Sequence, residues 1–196
     1  MPFQTASGGF NNQNNSQNGD KKKTNFPVGR LFGTDAKMNI SIWNSDSAVY
    51  TIIAIAQSVG KDPSTGANVY EQKAPNELPR VFLNPEMLEA LVFSAKNIDI
   101  NGNTTGVLTL KNGSKLTIAT NSGKVTITTE TQKQGSRTIT FDPVTFNSMN
   151  VNGNWNLFIK YLTIANNKAT MAKLDPNEFA MVMASTPAGA DEELPI

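Results

Sequence analysis

Polar and apolar residues alternate one by one through "AKMNISIWN". Met38, Ile40 and Ile42 share one side, and Lys37, Asn39, Ser41 and Trp43 the other. A period of two marks a strand covered on a single face. "VYTIIAIAQ" follows the short "NSDSA" turn and is apolar enough for a central strand, with Tyr50 and Ile52 opposite Val49, Ile53 and Ile55. "GVLTLKNGSKLTIATNSGKVTITTE" predicts a three-stranded meander. Its Lys111-Asn112-Gly113 and Asn121-Ser122-Gly123 supply the φ > 0 residues that hairpin turns demand. Leu116, Ile118, Val125 and Ile127 then point inward, while Lys115, Thr117, Lys124, Thr126 and Thr128 point outward. A late apolar run, "WNLFIKYLTIA", reads as a closing strand whose two faces are not told apart.

Helical signals are few. "NPEMLEALVFSAKN" has Asn84 as N-cap, Pro85 at the first helical position, Glu86 in the first turn and an apolar stripe of Met87, Leu88, Leu91 and Val92. "DPNEFAMVMAS" opens in the same way, and "DPVTFNSMN" does so for a turn or two. "RVFLNPEMLEAL" (Arg80–Leu91) and "TITFDPVTFNSM" (Thr138–Met149) share a pattern of strand end, cap, proline and helix. Each follows a strand that begins with a lysine, Lys37 or Lys115. The pattern is either an internal duplication or a chance likeness of two β-meanders. The first copy is longer by Ser58–Pro79, a stretch that suits a hairpin arm turning at Asp62-Pro63-Ser64 to Gly66.

The expected fold class is β-rich α+β with antiparallel sheets, arranged as two tandem strand-strand-strand-strand-helix units. An oligonucleotide-binding barrel is the alternative. The chain divides into an Asn/Gln-rich disordered arm at 1–25, a core at 26–184 and an acidic tail at 185–196. Within the core the repeats fall at 26–97 and 104–150, followed by closing strands and helix at 155–184. Lys21-Lys22-Lys23 ends the arm, as either a solubilising run or a phosphate contact.

Composition narrows the chemistry. The 196 residues include no histidine and no cysteine, which removes Ser/His and Cys/His nucleophiles and the usual zinc sites. No carboxylate pair, phosphate-cradling glycine loop or metal-binding helix motif stands out, so no enzyme, metal or cofactor is expected. No apolar run spans a bilayer, and the polar start lacks a signal-peptide core, so a cytoplasmic protein is expected (the host cytoplasm, if phage-encoded). Residues 26–190 hold 14 Lys/Arg against 12 Asp/Glu, a balance of about +2. That is low for a duplex binder, whereas single-strand binders rely also on stacking.

The stretches "KLTIATNSGKVTITTE…GSRTITFDP" and "RVFLNPEMLEAL" resemble the positive-cofactor-four, Whirly and Pur-alpha group over about residues 26–150. The resemblance implies two units packed helix to helix, with single-stranded nucleic acid held on the sheets. The outward residues assigned to that role are Arg30, Lys37, Trp43, Tyr50, Tyr70, Arg80, Phe82, Lys115, Lys124 and Arg137. Trp43 is either a stacking platform or a strand-end aromatic covering a loop. Trp155, Lys160 and Tyr161 are secondary candidates.

The closing "DEELPI" places Asp191, Glu192 and Glu193 before Leu194, Pro195 and Ile196. It resembles the acidic tails of bacterial and phage single-stranded DNA-binding proteins, with Ile196 where those usually carry Phe. The resemblance implies a protein that coats single-stranded DNA in replication or recombination and recruits replication or repair proteins through the tail. A homo-oligomer is a further expectation. The alternatives are a frayed acidic end and, for the whole chain, a β-rich structural or virion accessory protein.

Overall fold

The computed structural model describes residues 24–45, 48–73, 77–141 and 151–174, and the alternating segments in it form antiparallel strands. The first unit comprises β1 (Thr24–Phe32), β2 (Ala36–Ser45), β3 (Ala48–Lys61), β4 (Asn68–Tyr70), β5 (Arg80–Leu83) and helix α1 (Pro85–Asn97). The second comprises β6 (Asn103–Thr109), β7 (Lys115–Asn121), β8 (Lys124–Thr131), β9 (Gly135–Phe141) and helix α2 (Val151–Leu174). One sheet runs β1-β2-β3, with β4 and β5 pairing successive parts of β3's other edge; the second sheet runs β6-β7-β8-β9. Leaving out the short β4, each unit reads strand-strand-strand-strand-helix. Neither sheet closes into a barrel among the described residues, so the barrel alternative falls.

Local chemistry accounts for the boundaries. Gly113, Ser122 and Gly123 take φ of 79°, 49° and 85° in the first two of the second sheet's three hairpin turns. Asn84 caps α1 by accepting from the Met87 amide at 2.8 Å, and Leu88, Leu91, Val92 and Ala95 form its buried stripe. The β3–β4 arm turns at Asp62, whose carboxylate accepts from the amides of Ser64 (2.8 Å) and Thr65 (2.9 Å) and from the Ser64 hydroxyl. Those bonds, the Ser64 hydroxyl first, draw its pKa down to about 2. This arm is the length difference between the two units.

Two expectations need correction. "WNLFIKYLTIA" is not a closing strand but part of α2. Trp155, Phe158, Leu162, Ala165, Ala169 and Ala172 recur at helical spacing and are all buried. Leu157, Ile159 and Tyr161 also pack on the core, because α2 touches α1 and both sheets. Apolar residues therefore flank the buried stripe in this half of the helix, and its period is blurred in the sequence. Thr24 and Asn25, assigned to the arm, instead belong to β1, where they pair with Asn44 and Trp43. The segments "DPVTFNSMN" and "DPNEFAMVMAS", Lys21–Lys23 and the acidic tail lie outside the described residues.

The buried faces of both sheets and both helices share one core. Polar links tie the sheets together as well. The Thr34 amide donates to the Thr140 carbonyl at 3.0 Å, and the Thr129 hydroxyl to the Pro79 carbonyl at 3.3 Å. No helix among the described residues is long and apolar enough to cross a membrane.

Candidate nucleic-acid interface

Strand register places side chains on the outer face of the first sheet in rows. Met38, Ile40, Ile42, Ile53, Ile55, Val81 and Leu83 are turned into the core, so the residues between them face out. One row pairs Trp43 with Tyr50, and the next brings Ser41, Ile52 and Phe82 side by side. A third joins Arg30, Asn39, Ala54 and Arg80, and a fourth joins Phe32, Lys37 and Ala56. Tyr70, opposite Ser58, closes the array. From Trp43 to Lys37 the strip is roughly 20 Å long at about 3.3 Å per residue.

The aromatic side chains form two groups at the ends of this strip. Trp43 and Tyr50 have ring centroids 5.8 Å apart at 31°, and Tyr50 meets Phe82 edge-on at 6.3 Å and 86°. The three rings are half-buried and lie around Ile52, which is only 5% exposed although it faces outward. At the other end Phe32, 52% exposed, lies 6.0 Å from Tyr70, whose ring also has the Lys37 ammonium 4.9 Å from its centroid. Between the groups the Arg80 guanidinium stands 5.4 Å over Phe82, and Arg30 Nε donates to Asn39 Oδ1 at 3.2 Å.

Charge distinguishes the two sheets. The five strands of the first contain Arg30, Lys37, Lys61 and Arg80, and no Asp or Glu. The strands of the second carry Lys115, Lys124 and Arg137 with Glu130 among them, so it is the lack of opposing acids within the strands that sets the first sheet apart. The outer face of the second sheet is rich in threonine: Thr105, Thr117, Thr126, Thr128, Thr138 and Thr140 share it with Lys115 and Lys124. Its strands include no aromatic on that side, and Lys115 pairs across the sheet with Glu130 at 3.4 Å.

The structure therefore brings together seven of the residues assigned from sequence: Arg30, Lys37, Trp43, Tyr50, Tyr70, Arg80 and Phe82. Lys115 and Lys124 belong to the other sheet. Arg137 does not share their outward face. It pairs with Thr129, on the side of β9 that carries buried Ile139 and Phe141. There its Nε donates to Glu71 Oε1 at 2.8 Å and its second terminal nitrogen to Oε2 at 3.2 Å. Glu71 also accepts from the Gln57 amide at 3.1 Å and lies 3.2 Å from Lys73 Nζ. The Arg137 bond, first among these, holds the Glu71 pKa down to about 2, and Arg137 is raised in turn. Arg137 is a strut between the sheets. Trp155 is in the core at 4% exposure, and Tyr161 packs over Gly29, which sets both secondary aromatics apart from the face.

Phe32 belongs to the face although the sequence pattern does not single it out. Its signal is the alternation Arg30-Leu31-Phe32, which Pro27 and Gly29 obscure upstream. Tyr70 reaches the face because the β3–β4 arm pairs as a strand. Among the described residues no cluster of three metal-binding side chains is present. No known protein family and no curated protein matches this sequence.

Proposed function

We propose that this chain binds single-stranded nucleic acid, DNA first of all, on the outer face of its first sheet. The carrying observation is the strip itself, in which two groups of aromatic rings flank Arg30 and Arg80, with Lys37 beside the second group, on strands that contain no carboxylate. Bases can stack on the Trp43–Tyr50–Phe82 group and on the Phe32–Tyr70 pair. Arg30, Lys37 and Arg80 lie between and beside them to track phosphates. Stacking of this kind contributes about 1–3 kcal/mol per base and tolerates any sequence. Paired bases keep their faces inside the duplex, so the same strip favours unpaired strands. The strand-strand-strand-strand-helix order, and the likeness to the positive-cofactor-four, Whirly and Pur-alpha group, support the same reading.

In this reading the chain coats single-stranded DNA during phage or bacterial DNA replication or recombination. The acidic stretch Asp191–Ile196 recruits replication or repair proteins, on the strength of its sequence pattern. Acids of that stretch steer a basic partner, and Leu194-Pro195-Ile196 offers an extended apolar segment to a pocket.

The test is a titration with oligo-dT, its RNA counterpart and duplex DNA at two salt concentrations. Oligo-dT should bind more tightly than duplex. Three phosphate contacts on the sheet, from Arg30, Lys37 and Arg80, would give a log–log salt slope of about −2. No retention of oligo-dT at low salt would end the proposal.

A further inference from the structure

Beyond Phe82 the first sheet does not simply end. A cleft of about 260 Å³ opens between β5 and two hairpin turns of the second sheet. Arg80 and Phe82 line it from the first sheet, and Asn112, Ser114, Gln132 and Lys133 from the turns. It thus continues the path Trp43–Tyr50–Phe82, which crosses β2, β3 and β5 in that order.

We propose that this cleft seats one nucleotide of the bound strand, a role that rests on the single-strand reading above. Its base would pack against the Arg80–Phe82 stack and its phosphate, one beyond those tracked on the sheet, would lie against Lys133. Three features point to that occupant. At about 260 Å³ the cleft is smaller than the roughly 300–1,000 Å³ of sites that enclose a drug-sized ligand, so it has room for one base with its sugar and phosphate at the mouth rather than for a longer stretch of strand. The lining residues include two cations, Arg80 and Lys133, and no carboxylate, as an anionic guest requires. Arginine planes and aromatic rings are both surfaces on which unpaired bases stack, and here one lies over the other at 5.4 Å. The amides of Asn112 and Gln132 add neutral donors and acceptors at the rim, of the type that read base edges. Lys133 is therefore a binding residue contributed by the second sheet, and the second unit shares in the site through its turns rather than its threonine face.

The experiment compares wild type, Lys133→Ala and Lys96→Ala with oligo-dT across a salt series, folding being checked by circular dichroism. Lys96 is an exposed helix lysine in the last turn of α1 and serves as the charge control. Lys133 adds a phosphate partner to those on the sheet, so its removal should shallow the salt slope by about 0.7, while Lys96→Ala keeps the wild-type slope. If wild type binds and all three slopes coincide, the cleft proposal is overturned and the sheet face stands. Equal shallowing in both variants overturns it too, because the effect is then one of net charge. If wild type does not bind oligo-dT, the sheet-face reading fails and the cleft falls with it.

Discussion

Replacing Arg137 by methionine separates a strut between sheets from a contact to nucleic acid. The Glu71 side chain that Arg137 holds is 9% exposed, and Arg137 itself is 22% exposed. Folding lowers the Glu71 pKa from 4.5 to about 2, with the Arg137 hydrogen bond as the largest cause. At about 1.4 kcal/mol per pKa unit the whole shift corresponds to roughly 3 kcal/mol. The Gln57 amide and Lys73 remain in the variant, and solvent screens part of the pair, so Arg137→Met should cost about 2 kcal/mol near neutrality. The sign follows from linkage. A depressed carboxylate stabilises the fold above its unfolded pKa, and that contribution is lost as pH falls through the folded value. The gap between wild type and variant should therefore be full above pH ~5 and close toward pH ~2. Urea denaturation of both proteins across that range measures it, alongside oligo-dT binding at neutral pH. Unchanged stability together with weakened binding would refute the strut and return Arg137 to the interface.

Three further outcomes are expected. Gly29→Ala would place a Cβ 2.5 Å from ring atoms of Tyr161, so thermal unfolding should show a loss of about 1–3 kcal/mol. Tyr161→Leu in the same chain should recover part of it, and additive losses would count against the close contact. Asn84→Ala removes the α1 cap and should cost about 1 kcal/mol in the same assay. Lys115→Ala, paired with Glu130 on the threonine face, should leave oligo-dT affinity within about twofold, exposed ion pairs being worth little. A clear loss of affinity would bring the second sheet's outer face into the interface.

What the sequence discloses follows physical lines. Strands with one wet face keep their period of two, so Lys37 to Trp43, Arg80 to Leu83 and Lys115 to Thr128 fall on the sides their alternation predicts. Turn glycines and the Asn84-Pro85 start of α1 act locally, and they too are legible. The failures arise where local pattern is overridden by surroundings. The helical period of α2 is blurred in sequence because Leu157, Ile159 and Tyr161 pack beside its buried stripe. β1 carries Pro27 and a register shift before Gly29, allowed on an edge strand but unlike a strand in sequence. Arg137 lies in "GSRTITF", where its parity with Ile139 and Phe141 is visible, but its partner Glu71 is 66 residues away. The cleft is formed by turns from the second unit meeting an edge of the first, a juxtaposition that no local pattern encodes.

The chain has two tryptophans, Trp43 on the candidate face and Trp155 in the core against Phe158. Trp155→Phe therefore leaves Trp43 as a single reporter. Titrating that variant with oligo-dT should give saturable quenching of Trp43 that duplex DNA of equal length does not match at the same salt. Binding detected by retention with Trp43 emission unchanged would contradict the sheet face as the interface, and no binding at low salt would contradict the function itself.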